Sequence, residues 1–306
     1  MIYYVAMLHT QKILKNPRLC KALSGMTPSE IEQLSLLFQE NLKTYRYTSR
    51  PKRKRKPGAG QKGKLPTAPE KLVFALMYLK IYPTYDVLGF MADLPRSKAF
   101  RWVHLLLPVL ETTLGRTLSL PKRKLRSIEE VFEAFPEIKE VFIDGTERRV
   151  EKPKTIKRRN KLYSGKKKAT TRKTVIVATK KKRILAMTPT KSGRRHDKRL
   201  WDKYYNTAHV PPDVAIIVDT GFQGMQHLHD QTLIPTKATK TKPLTDDQKQ
   251  NNTLIASVRI VAEHAIGGFK RFKAATDVYR NKLPNLDDTF TCLSAGLWNF
   301  HLQYTS

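Results

Sequence analysis

Cysteine is nearly missing from these 306 residues: Cys20 and Cys292 stand alone and form no motif. A zinc site of the CxxC kind is excluded, and the pair fits a reduced, cytosolic setting. Long apolar runs are missing as well, with no stretch near the ~18 residues that a membrane-spanning helix needs. The opening run, residues 1–8, is apolar but too short to span, and it lacks a preceding basic region and a cleavage site, so no secretory signal is expected. No internal repeat is visible. Acid is scarce: 26 Asp and Glu face 58 Lys and Arg, a formal net charge of +32. Such an excess repels itself unless a polyanion neutralises it. Nucleic acid is therefore the expected partner, since each neutralised phosphate releases counterions. A membrane surface is the weaker candidate, because no amphipathic basic helix flanks a spanning segment. With 40% hydrophobic residues the chain can bury a core, and its length suggests about two domains.

The first part of the chain reads as helical. Thr27 and Glu30 form a capping box ahead of Ile31, Leu34, Leu37, Phe38 and Leu42, which predicts a helix over 27–45. Residues 50–63 are dense in Lys, Arg, Pro and Gly and read as a basic linker or arm carrying Arg53, Lys54 and Arg55. A second capping box, Thr67 with Glu70, opens a helix that Pro83 stops. A short helix over 85–91 and a turn over 93–96 follow. Ser97 then caps a helix expected to end at Pro108, with another to about Leu114. Ala99, Trp102, Val103 and Leu106 share one face of that capped helix, while Lys98 and Arg101 lie elsewhere. A short helix, a turn and a basic-faced helix suit a helix-turn-helix, although any small three-helix core reads the same way. Ser127 and Glu130 cap a further short helix ending near Phe135.

From there the pattern changes to strands: 140–144, 174–179, 184–188, 214–219 and a short fifth over 232–235. Residues 148–173 read as a basic loop. Helices are expected through Leu200–Tyr205, over Phe222–His229 and, at length, from about Thr245 to Phe272, with a basic loop over 236–243 before the last. A first triplet of linked strands followed by alternating helices and strands predicts a mixed sheet flanked by helices, in the order of an RNase H-like fold. The expected fold class is thus α/β, an all-α helix-turn-helix N-terminal domain preceding an RNase H-like core. The expected division is 1–64, 65–118 and 138–303.

Three acids stand out in this basic chain. Asp144 follows Val141, Phe142 and Ile143, and Asp219 follows Ile216, Ile217 and Val218. Each is an apolar run ending in a carboxylate, a form also produced by ordinary turns after strands. If the first and fourth strands are neighbours, both carboxylates emerge side by side. Glu263 lies four residues after Arg259 and seven before Lys270, so the three make one helical stripe. A surface ion pair at i, i+4 would have the same spacing. Hard divalent ions prefer oxygen ligands, and three carboxylates can hold two ions roughly 3.5–4 Å apart for in-line displacement at phosphorus. His196, Asp197 and His264 lie near these motifs and could assist, though capping or packing is the commoner use of such residues.

Several blocks resemble DDE transposases of the insertion sequence 5 family, related to Harbinger-type elements: Asp144-Gly145-Thr146-Glu147, the run from Tyr163 to Lys168, the run from Asp219 to Gly224, and the run from Val261 to Phe272. The last is the most specific. Arg259, Glu263 and Lys270 fit the family spacing, and Ala256 stands where that family has Tyr. The resemblance covers most of the chain, with a helix-turn-helix at about 65–115 and the core from about 140 to 300. It implies Mg²⁺- or Mn²⁺-dependent cleavage at terminal inverted repeats, with Asp144, Asp219 and Glu263 as ligands to two ions and Arg259 and Lys270 beside the phosphate. It further implies strand transfer into double-stranded target DNA by a homodimer or higher multimer, in the cytoplasm at the nucleoid. Lys98 and Arg101 would read the repeat ends. Arg53, Lys54, Arg55, Arg158, Arg159, Lys166, Lys167 and Lys168 would contact phosphates. Two rivals remain open: a transposase-derived DNA-binding protein without chemistry, and a nuclease of RNase H type acting on RNA–DNA hybrids.

Overall fold

Two capping boxes set the helix starts of the N-terminal half. The Thr27 N–H donates to Glu30 Oε2 at 2.6 Å while the Glu30 N–H donates to Thr27 Oγ1 at 3.3 Å. Thr67 and Glu70 repeat the arrangement at 2.7 and 3.3 Å. The computed structural model describes residues 9–48, 63–117, 119–121, 128–239 and 241–304. The chain divides into two units, one of residues 1–120, 271–275 and 296–306 and one of residues 121–270 and 276–295.

Within the described residues the first unit is helical: α1 (Thr10–Lys15), α2 (Pro17–Ser24), α3 (Pro28–Thr48), α4 (Ala68–Ile81), α5 (Tyr85–Met91) and α6 (Arg96–Arg116). It takes in residues 65–118 together with α1, α2 and α3. Helix α4 is its centre, since every side chain from Lys71 to Leu79 is buried. Lys71 is tolerated there because its ammonium donates to the carbonyls of Pro66 and Thr67 at 2.8 and 3.1 Å and lies over the Trp102 ring. Helix α6 corrects two expectations. Pro95, not Ser97, holds the N-cap position, and the helix continues through Pro108 to Arg116. Proline removes one helical donor. Leu106, Leu107, Val109 and Leu110 are nevertheless all buried around it, and that packing outweighs the lost bond.

The second unit opens with α7 (Glu129–Ala134); Ser127, expected as its cap, lies outside the described residues. A mixed sheet follows in chain order: β1 (Glu140–Arg149), α8 (Ile156–Leu162), β2 (Tyr163–Ser164), β3 (Ala169–Ala178), β4 (Ile184–Met187), β5 (Lys191–Ser192), α9 (Asp197–Tyr204), β6 (Ala215–Val218) and β7 (Thr232–Leu233). Then comes α10 (Asp246–Lys270); after it, α11 (Lys273–Thr276) falls almost wholly in the first unit, and α12 (Leu286–Gln303) belongs to the second unit up to Ala295 and to the first from Gly296. The strand order is β2-β3-β1-β6-β7, with β4 and β5 also on β3. Pairing is antiparallel for β1 with β3 and β3 with β4, and parallel for β1 with β6 and β6 with β7. The first and fourth strands read from sequence are therefore neighbours. One face of the sheet buries Val141, Ile143, Val175, Val177, Ile216 and Val218 with Leu200 and Trp201 of α9.

The stretch 148–173 is not a loop: β1 runs on to Arg149, α8 follows, and β3 begins at Ala169. Its alternation was hidden because two inward positions are cations. Arg148 is buried, donates to the Asp277 carbonyl at 2.8 Å and faces the Tyr279 ring. Lys173 is buried among acids. The helix expected over Phe222–His229 is two short 3₁₀ turns, Thr220–Phe222 and Met225–His227. Among the described residues no helix is long and apolar enough to cross a membrane.

Candidate active site

The parallel register decides where the two aspartates go. Ile143 pairs with Val218, so the next position on each strand, Asp144 and Asp219, falls side by side where the two strands part. Neighbouring strands lie ~4.8 Å apart. Asp144 stays paired with Ile176 of β3, so its backbone is held on one side while its edge toward β6 opens. Its carboxylate accepts from the Gly145 N–H at 2.7 Å, and Asp219 accepts from the Gly221 N–H at 2.8 Å. Burial pushes the Asp144 carboxyl up to about 6, and the Asp219 charge adds to the rise. The Gly145 N–H and the Arg259 guanidinium oppose it, and Asp197 adds a further rise.

Helix α10 covers this face. Ala262 packs on Phe142 and Ile217, the residues two before Asp144 and Asp219 and so on the same side of their strands. That contact brings the half-buried Arg259 within the field of Asp144. At the end of the helix, burial and the Lys167 ammonium push Lys270 below the usual lysine range, while Asp144 and Glu147 pull the other way. Asp144, Asp219, Arg259 and Lys270 are thus brought together, with Lys167 beside them. Glu263 follows Ala262 on the exposed side of α10. Among the described residues no three His, Cys, Asp or Glu side chains lie close enough to hold one ion together. His196 and His264 are exposed.

A further acid, weighed from sequence only as an assistant, sits at the centre. Asp197, the first residue of α9, reaches Gly145: a Cβ there would lie 2.5 Å from Asp197 Oδ1. A Cβ on Gly221 would lie 3.0 Å from Asp197 Oδ2. The Lys173 ammonium ion-pairs with Asp197 at 2.9 Å and with Glu147 at 3.2 Å, and donates to the Arg195 carbonyl at 2.9 Å. Two acids and a backbone carbonyl thus surround the buried cation. Desolvation would raise the Glu147 carboxyl, but hydrogen bonds from Thr171 and Ser164 together with Lys173 hold it below the usual carboxylate range. Sequence reasoning gave Glu147 no role beyond its place in the Asp144–Glu147 block and read Lys173 as the end of a basic loop. The available signal was the glycine that follows each aspartate closely.

The basic residues expected on DNA fall in several places. Arg158 and Arg159 are on α8, the first exposed and the second half-buried and donating to the Lys154 carbonyl. Lys166, Lys167 and Lys168 are exposed in the turn between β2 and β3. Lys98 and Arg101 are exposed on the first turns of α6 and line a cavity of about 480 Å³ with Lys64 and Trp102. Arg53, Lys54 and Arg55 lie outside the described residues.

The DDE superfamily endonuclease profile matches residues 143–299, more than half of the 306 residues. The chain is 30% identical over 253 residues to a probable transposase for insertion sequence element IS702 from Microchaete diplosiphon, covering 82% of this chain and 86% of that protein. No solved structure matches the chain. On these two likenesses, and with Asp144 and Asp219 side by side at neighbouring inner strands of a mixed sheet, the chain belongs to the DDE superfamily endonuclease family.

Proposed function

We propose that this protein is a DNA transposase of the insertion sequence 5 type, which binds the terminal inverted repeats of its element, cleaves a strand at the ends and joins them to target DNA. The single observation that carries the reading is the adjacency of Asp144 and Asp219 beneath a helix bearing Arg259 and Lys270, in a chain of net charge +32. The mixed sheet suits an RNase H-like core, and the pair α5–α6 suits a helix-turn-helix that presents Lys98 and Arg101 to the major groove. Arg158, Arg159 and Lys166 to Lys168, with Arg53, Lys54 and Arg55, would meet phosphates, which position the duplex without reading it. A multimer, at least a homodimer, would bridge two ends at the nucleoid.

The donor set fits magnesium or manganese. It is made of hard oxygens, and the Asp219 repulsion that adds to burial in raising Asp144 to about 6 is what a cation would relieve. Asp144 and Asp219 would hold the ions, with Glu263 supplied from α10. Bound ions would activate the attacking oxygen and steady the leaving one. The chain's own share is to orient and to balance charge. The two strands present both carboxylates to the same space, Arg259 lies near Asp144, and Lys270 stands close to where a scissile phosphate would carry its charge.

The test is the full-length protein on labelled repeat ends with magnesium. Asp219→Asn should abolish nicking and leave end binding within about twofold; equal loss of both would make Asp219 a structural residue. A second reading, DNA binding without chemistry, is favoured by the absence among the described residues of any three acids able to share an ion. Binding without nicking by the unmodified protein would select it.

A further inference from the structure

Both aspartate motifs carry a glycine, at Gly145 and at Gly221, and neither has a positive φ that would demand one. The demand comes from elsewhere. Both glycines back onto the Asp197 carboxylate: a Cβ at Gly145 would meet it at 2.5 Å, and one at Gly221 would meet it at 3.0 Å, next to the Asp219 carboxylate at 2.9 Å. The Asp197 side chain is therefore wedged between Gly145 of β1 and Gly221 in the 3₁₀ turn after Asp219. It cannot drift, because the buried Lys173 ammonium grips it at 2.9 Å and is itself gripped by Glu147 and the Arg195 carbonyl.

We propose that the Lys173–Asp197 pair is a positioning device for the proposed ion-holding aspartates, keeping Asp144 and Asp219 at the spacing that a shared divalent cation requires. This rests on the reading of Asp144 and Asp219 as ion ligands. Asp197 acts through the two glycines rather than on the reacting atoms. Partners of this kind, one step removed from the ligands, typically change metal affinity about 10- to 100-fold when lost. Lys173 holds Asp197 from β3, and Asp197 reaches Gly145 and Gly221 from the first residue of α9, so the spacing is set by elements outside the two strands that bear the aspartates.

The experiment is a manganese titration of the full-length protein, followed by the electron paramagnetic resonance of the free ion, with folding and duplex binding checked in parallel. Asp197→Asn keeps the side-chain volume and leaves Lys173 its bonds to Glu147 and Arg195, so the fold should survive. Manganese affinity should fall about 10- to 100-fold with duplex binding unchanged. Gly145→Ala displaces the carboxylate without deleting it and should weaken manganese in the same way. The double variant should be no worse than either single one, because both changes remove one device. Unchanged affinity in folded Asp197→Asn, or losses that simply add, would overturn the assignment. Manganese binding by the unmodified chain that survives Asp144→Asn would sink the ion-ligand reading itself, and this inference with it.

Discussion

Asp144 is held in a state that costs the folded protein stability. Its carboxyl ionises near 3.8 in an ordinary setting and at about 6 here, because burial and the neighbouring Asp219 both disfavour the anion. Between those two values the folded chain binds a proton that the unfolded chain has released. Stability therefore falls as pH rises through that window, by roughly 3 kcal/mol in full. Without divalent ions, Asp144→Asn should unfold at a higher temperature than the unmodified protein at pH 8, and the two should converge below about pH 4. Thermal unfolding across that range checks it, and a difference that persists in acid would contradict the origin given for the shift. Added magnesium should narrow the gap at pH 8, since an ion that binds only the folded carboxylates stabilises the unmodified chain.

Helix α4 shows how a local device supports a buried element. It is apolar around its circumference, so nothing in its own periodicity orients it; its entry is set by Thr67 and Glu70, which satisfy two otherwise unpaired donors at the first turn. Thr67→Ala should cost about 1 kcal/mol, read as a shift of the denaturant midpoint, and Thr67→Ser should recover most of it. No change would mean that Pro66 and Lys71 alone hold the entry. Helix α10 illustrates the opposite case. Its placement comes from Ala262 on Phe142 and Ile217, a contact between residues far apart in the chain, and that contact carries Arg259 to the site.

For the molecule as a whole, the excess of 58 cations over 26 acids would set how it meets DNA under the proposed function. Each phosphate neutralised on duplex contributes a slope of about −0.9 to log K against log salt. Binding to repeat ends should therefore weaken steeply with salt. Replacing Lys98 and Arg101 together by Ala should remove the preference for repeat ends over other duplexes, while replacing Arg158 and Lys166 together by Ala should flatten the slope by about 2. Flat salt dependence in the unmodified protein would contradict a phosphate-led interface. Retained end preference in the first of these variants would move recognition away from α6.

Much of this protein was written locally. The capping boxes, the exact span of α5, the apolar runs of β1 and β6 and the acid at the end of each follow from residues close together in the chain, because caps, periodicity and charge balance act over a few residues. Three features depended on contacts across the chain. Helix α6 runs through Pro108 because its buried neighbours outweigh a missing donor. The strands around Arg148 and Lys173 could not be read from hydropathy, since a cation inside a strand is stable only once an aromatic ring or a pair of acids is folded against it. Asp197 looked like a helix-start residue, and only the close approach of α9 to Gly145 and Gly221 gives its carboxylate two neighbours and a buried partner. Short-range patterns specify elements; which charges end up sharing one desolvated space is set by packing between segments that no sequence window contains.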